Sequence, residues 1–193
     1  MNRELTAARG LSLTQPTLLR NSLAILLGSA FVAICAHLSV PLWFTPVPLT
    51  LQNFAVLVLG LALSPELSAG ALVLYLLEGA AGLPVFTPNG PAGLLHLFGP
   101  SGGYLLAYPL AAAAIGLIRR RLGWGNFGSS LAAAAAGNAL ILLAGASWFA
   151  VWSHQRPATV LALSIAPFVA GDVLKVAVAA SGISAFRHLR RAR

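Results

Sequence analysis

FVAGDVLKVAVAASGISAFR, residues 168–187, is an apolar run interrupted by two ionisable side chains, Asp172 and Lys175, and closed by Arg187. A helix of this length rises about 30 Å, the thickness of a bilayer's hydrocarbon core. Charged groups in such a segment cost about 2.5–3.5 kcal/mol each to insert at its centre, so they stay only where they face a partner. Pro167 and Gly171 break the apolar stretch that begins at 158. A short outer helix at about 158–166 is expected before the long one.

Five more apolar stretches lie upstream, at about 21–39, 47–63, 67–82, 103–118 and 129–152. Each has the length of a membrane span, and in lipid each must be helical to satisfy its backbone. The fold class is therefore an all-α integral membrane protein of six transmembrane helices, a single domain over 21–187. Residues 1–20 form a polar, basic tail without a cleaved signal's pattern, and 188–193 form a second basic tail. Composition agrees: 58% of the 193 residues are hydrophobic and 8% are charged, against about a quarter in soluble domains. Lipid must be the solvent.

The net charge of +8 does not indicate nucleic-acid binding, because it is confined to the ends and one loop. Arg3, Arg9, Arg20, the triplet Arg119-Arg120-Arg121, and Arg187, Arg190, Arg191 and Arg193 fall on one side of the six-span topology. Only Arg156 falls on the other. The positive-inside rule then puts both termini in the cytoplasm. The outer loops 40–48 and 83–102 carry no charge but several apolar residues. They read as lids folded over the bundle rather than as disordered linkers.

Asp172 and Lys175 share one helix face in the outer half of the last span. A donor beside an acceptor suits a flat ligand that both gives and takes hydrogen bonds, such as a urea or an amide; the alternative is a purely structural ion pair. Gln52, Asn89 and Tyr104 are further contact candidates; Tyr104 and Trp43 read either as pocket walls or as membrane-interface residues. Asn138 reads as an interhelical hydrogen bond, Glu78 as an interfacial carboxylate, and His96 as a plain loop residue. His37, His154 and His188 are scattered and suggest no metal site. Cys35 stands alone, without a disulfide partner. Gly99-Pro-Ser101-Gly-Gly103 matches the G-x-S-x-G nucleophile pattern, yet neither His154 nor His188 is placed to act as a base, so a serine hydrolase is a remote alternative. No phosphate-binding loop is present, so uptake against a gradient needs an energising partner.

Four blocks, VPLWFTPVPLTLQNFAVLVLG (40–60), LLEGAAGLPVF (76–86), GPSGGYLLAY (99–108) and PFVAGDVLK (167–175), resemble in order and spacing the BioY family, the biotin-binding S components of energy-coupling factor (ECF) transporters. The resemblance covers nearly all of the chain after about residue 21. It implies the S-component fold in a bacterial cytoplasmic membrane, crossing many times. Biotin would bind non-covalently beneath the two outer loops, with no other cofactor. Asp172 and Lys175 match the block that holds the ureido ring, and Asn89 is the best match for a carboxylate contact. Leu105 stands where some members carry an arginine; His96 or a backbone amide is the substitute. Glu78 also departs from the pattern. The implied partners are a transmembrane T component and two cytoplasmic ATPases, absent in relatives that act alone. The family's small-xxx-small contact motif falls on Ser29 and Ala33, where ordinary packing within the bundle is the alternative. An S component for another vitamin is the nearest competing reading; an enzyme is not expected.

Overall fold

The computed structural model describes residues 15–123 and 126–191. Arg3, Arg9 and Arg193 lie outside the described residues, as do the side chains of Arg190 and Arg191. The first helix, α1, runs Gln15–His37. It starts earlier than expected, so 15–20 belong to the helix and not to a tail. A two-stranded antiparallel hairpin follows, β1 (Ser39–Val40) with β2 (Leu49–Thr50), in the register Ser39 to Thr50 and Val40 to Leu49.

The helix α2 spans only Gln52–Ala62. This corrects the expected span 47–63. Pro46 and Pro48 cannot donate to a helix ladder, and the chain stays extended through Thr50. Eleven residues rise about 16 Å, half a hydrocarbon core. Ser64 then caps α3 (Pro65–Ala80) by accepting from the Leu67 amide at 3.3 Å, with Pro65 at the first helical position and Glu66 in the first turn. All three are favoured helix-start chemistry.

Beyond a loop and the short α4 (Leu94–Leu97) come α5 (Gly102–Leu122) and α6 (Phe127–Ser153). The outer helix α7 (Pro157–Ser164) and the last helix α8 (Ala166–Arg191) complete the chain. The break expected around Pro167 falls at Ile165 instead. Pro167 sits in the first turn of α8, where its missing N–H costs nothing. Among the described residues, four helices are long and apolar enough to cross a membrane: 17–37, 102–122, 127–153 and 166–189.

Inside lipid, apolar surface alone does not drive helices together; close approach of small residues does. The α5–α6 contact shows this. A Cβ on Gly103 would lie 2.1 Å from that of Trp148, and one on Gly145 2.2 Å from the Tyr104 ring. At one end of the bundle, Arg119 is buried and donates to the Leu61 carbonyl at the end of α2. Arg187 donates to the same oxygen at 3.1 Å, and Arg120 pairs with Glu66 at 3.0 Å. Helix-end carbonyls left without intrahelical partners thus meet cations.

Loops gather at the opposite end. Thr45 donates to the Leu163 carbonyl at 2.8 Å, and the Trp148 indole donates to the Gly99 carbonyl at 2.9 Å. Trp43 is 96% exposed beside Phe44, so of its two readings it is not a pocket wall. Its exposed position suits the interfacial belt typical of tryptophan. The Ser29–Ala33 face of α1 turns inward. Ser29 is fully buried and donates to Glu78 Oε2 on α3 at 2.5 Å, while Ala33 packs half-buried against the core. Ser29 is thus committed within the bundle and does not lie on an outer contact surface.

Candidate ligand-binding site

Beneath the loop end lies a narrow cavity lined by β2, α2, the 83–101 loop, α5, α6 and α8. Lys175 forms its α8 wall together with Phe168. Lys175 Nζ lies 3.1 Å from Asp172 Oδ1, and both residues are buried. The spacing of three therefore does what the sequence suggests and turns both groups into the bundle. Asn138 on α6 donates to the other carboxylate oxygen, Oδ2, at 3.2 Å. It is the interhelical hydrogen bond expected of it, and it also fixes the plane of the Asp172 carboxylate.

Gln52, at the start of α2, lines the cavity and is buried. Its amide nitrogen donates to the Tyr75 hydroxyl at 2.5 Å, and its oxygen accepts from Thr50 at 3.2 Å. Tyr104 also lines the cavity. Its hydroxyl donates to the Ser164 carbonyl, so the ring serves as a wall while the polar tip is occupied. One turn further along α5, Tyr108 donates to Asn53 at 2.8 Å. Tyr108, Asn53, Thr50, Thr87 and Phe168 are lining residues that sequence reasoning missed. The spacing of four between the two tyrosines on an otherwise aliphatic helix was the available signal for Tyr108.

Asn89 is placed differently. It is exposed, does not line the cavity, and donates to Ser39 at 3.0 Å and Thr87 at 3.4 Å. It ties the 83–101 loop to the β-hairpin instead of reaching inward. His96 takes the inward position: it is 3% exposed, lines the cavity, and its Nδ1 lies 2.9 Å from the Pro91 carbonyl. Its ring tilts against Phe86, 5.0 Å between centroids, and Phe86 in turn packs edge-on against Tyr75 and closes over Gly79. This apolar stack, with no helical period to announce it, makes the loop a roof.

Ser101 also lines the cavity. His96 Nδ1 is bonded to Pro91 and its Nε2 has no hydrogen-bond partner, so Ser101 makes no hydrogen bond to the one histidine of this cavity. A nucleophilic serine needs that bond. The cavity holds about 30 Å³ of free volume, room for one or two waters. Any larger ligand enters by movement of the roof or of the lining side chains. The site offers Lys175 on one wall, aromatic faces along its sides and an imidazole in its roof; Asp172 stands behind Lys175 and borders a groove between α6 and α8 instead of the cavity.

A family model described as the BioY family matches residues 4–192. The probable biotin transporter BioY of Pyrococcus horikoshii is 36% identical over 150 residues, 78% of this chain and 85% of that protein. The biotin transporter BioY2 of Lactococcus lactis subsp. cremoris is 32% identical over 176 residues, covering 91% of this chain and 94% of its own. A crystal structure of the S component for biotin from an ECF-type ABC transporter superposes with a TM-score of 0.82 at 26% identity. It covers 90% of this chain and 94% of that one.

Proposed function

This chain belongs to the BioY family, and from that premise we propose that it binds biotin and takes it up across the membrane as the substrate-specific component of an ECF-type transporter. The observation that carries the site is Lys175 in the cavity wall, paired with the buried carboxylate of Asp172 directly behind it. A ureido ring presents N–H donors and a carbonyl acceptor in one plane. Asp172 accepts from the N–H side, and Lys175 donates to the carbonyl while keeping its contact with Asp172. Phe168 and Tyr104 flank the bicyclic ring, and Gln52 supplies a further amide. Asn89 acts from outside by holding the roof to the hairpin.

The basic end of the bundle supports a topology with both termini cytoplasmic and six passes, α2 and α3 being the shorter ones. The cavity then opens outward. Energy comes from a T component and two ATPases, since the chain has no nucleotide loop of its own. We assign the T-component contact to α1, through its outward side at Leu23, Leu27 and Ile34, because Ser29 is engaged by Glu78. By the same proposal the protein is a binding and translocation subunit of a cytoplasmic membrane and catalyses no reaction.

The test is biotin binding to the purified, detergent-solubilised chain. Tight binding by the parent is expected, with Asp172→Asn and Lys175→Ala each weaker by about tenfold to a hundredfold, the value of a lost charge-assisted hydrogen bond. A parent that ignores biotin but binds another vitamin would overturn the substrate. Variants that bind biotin like the parent would make the pair structural.

A further inference from the structure

The roof of the cavity holds one unspent polar atom. Among the described residues that line the cavity, His96 Nε2 is the one buried side-chain nitrogen or oxygen without a hydrogen-bond partner. The ring's other nitrogen fixes its chemistry. A carbonyl only accepts, so Nδ1, 2.9 Å from the Pro91 oxygen, carries a proton. In the neutral imidazole Nε2 is then a bare lone pair. The ring has little freedom to turn: Phe86 lies tilted against it, and a Cβ on Gly90 would lie 3.0 Å from Cε1.

Among the described residues, the one other cation lining the cavity is Lys175, whose Nζ is paired with Asp172 and, on the biotin reading, donates to the ureido carbonyl. Tyr104 and Tyr108 on α5 donate to Ser164 and Asn53. On α3, which also packs against α4, Tyr75 accepts from Gln52 and Glu78 accepts from Ser29. A carboxylate facing a lone pair is repelled. At this atom it is held only when Nε2 gains a proton and donates it as one arm of an imidazolium.

We propose that His96 receives the carboxylate of the bound ligand, and that one proton is taken up from solvent in the same step. This rests on the biotin reading: with the ureido ring on the α8 pair, the acid is biotin's remaining polar end. The product is a carboxylate–imidazolium contact, Nε2–H to the ligand and Nδ1–H to Pro91, with no covalent bond made or broken.

Calorimetry of the full chain in detergent at pH 8, in two buffers of different ionisation enthalpy, counts the proton directly. Biotin binding to the parent is expected to take up close to one proton, and binding of biotin methyl ester none. His96→Gln is expected to take up none and to bind biotin about tenfold to a hundredfold more weakly, with ester affinity within a few-fold of the parent. Biotin binding without proton uptake by the parent, or full uptake by His96→Gln, overturns the proposal and leaves the biotin reading standing. A parent that binds neither acid nor ester removes both. If His96→Gln does not purify as a single species, the acid-against-ester comparison on the parent decides alone.

Discussion

Asn138 on α6 and Asp172 on α8 meet through one hydrogen bond, Nδ2 to Oδ2 at 3.2 Å, while Lys175 holds the other oxygen of the same carboxylate at 3.1 Å. Two helices, joined also by a Ser184-to-Ser130 hydrogen bond of 3.3 Å, thus agree on the orientation of one carboxylate. On the proposed binding mode, a ligand N–H would meet a carboxylate already aimed, with the entropy of ordering it spent during folding.

The first prediction follows from that arrangement. Asn138→Ala should leave the ion pair in place but free the carboxylate plane, weakening biotin binding by about fivefold to tenfold, the value of one ordinary hydrogen bond. Asn138→Asp should do worse, by setting a second acid against Asp172. Both are read by titration of the purified protein. Parent-like affinity in Asn138→Ala would show that Lys175 alone orients Asp172.

The second prediction concerns Gly145. Its missing Cβ makes room for the Tyr104 ring, which walls the cavity and donates to Ser164. Gly145→Ala should overpack this contact at a cost of about 1–3 kcal/mol, lowering the melting temperature and biotin affinity together. Adding Tyr104→Ala removes the clash, so the melting temperature should partly recover while affinity stays low. Recovery of both would mean that Tyr104 is not a wall of the site.

Hydropathy made Asp172 and Lys175 legible, because an ionisable pair in an apolar span needs a protein partner or ligand. Other features were hidden for identifiable reasons. Residues 47–51 are as apolar as the helix that follows, and a short apolar run looks alike as strand or helix, so hydropathy alone starts α2 too early. The inward turn of Ser29 was illegible because α1 is apolar on every side. Lipid is no more polar than a bundle core, and the usual contrast between faces is absent. That Asn89 faces outward and His96 inward could not be read from the sequence, because an irregular loop has no period that marks a face. The roof is set by Phe86 packing over Gly79, a contact between residues with no local pattern in common.

The third prediction tests the Ser29–Glu78 contact, 2.5 Å across α1 and α3. Ser29→Ala leaves the half-buried Glu78 carboxyl without its donor and should destabilise the protein by about 1–3 kcal/mol. Ser29→Ala with Glu78→Met removes both partners and should melt closer to the parent than Ser29→Ala alone. Biotin affinity should stay within a few-fold throughout, since neither residue lines the cavity. A single variant as stable as the parent would mean that the contact carries no stability.

The last prediction fixes the orientation on which an outward-opening site depends. The two ends of the bundle differ chemically: Arg119, Arg120 and Arg187 gather around Leu61 and Glu66 at one end, while Asn89 and Arg156 are exposed at the loop end. Cysteines replace Asn89, Arg156 or Arg120 singly in a Cys35→Ala background, Cys35 being buried. Removing Arg120 loses only its exposed pair with Glu66, worth at most about 1 kcal/mol, so the fold should survive. In sealed cells a membrane-impermeant maleimide should label the cysteines at 89 and 156 and spare the one at 120, which should react only after permeabilisation. The reverse pattern would place the basic end outside, against the positive-inside rule, and would turn the cavity toward the cytoplasm. Biotin binding to purified protein would survive that result, but uptake from outside through this cavity would not.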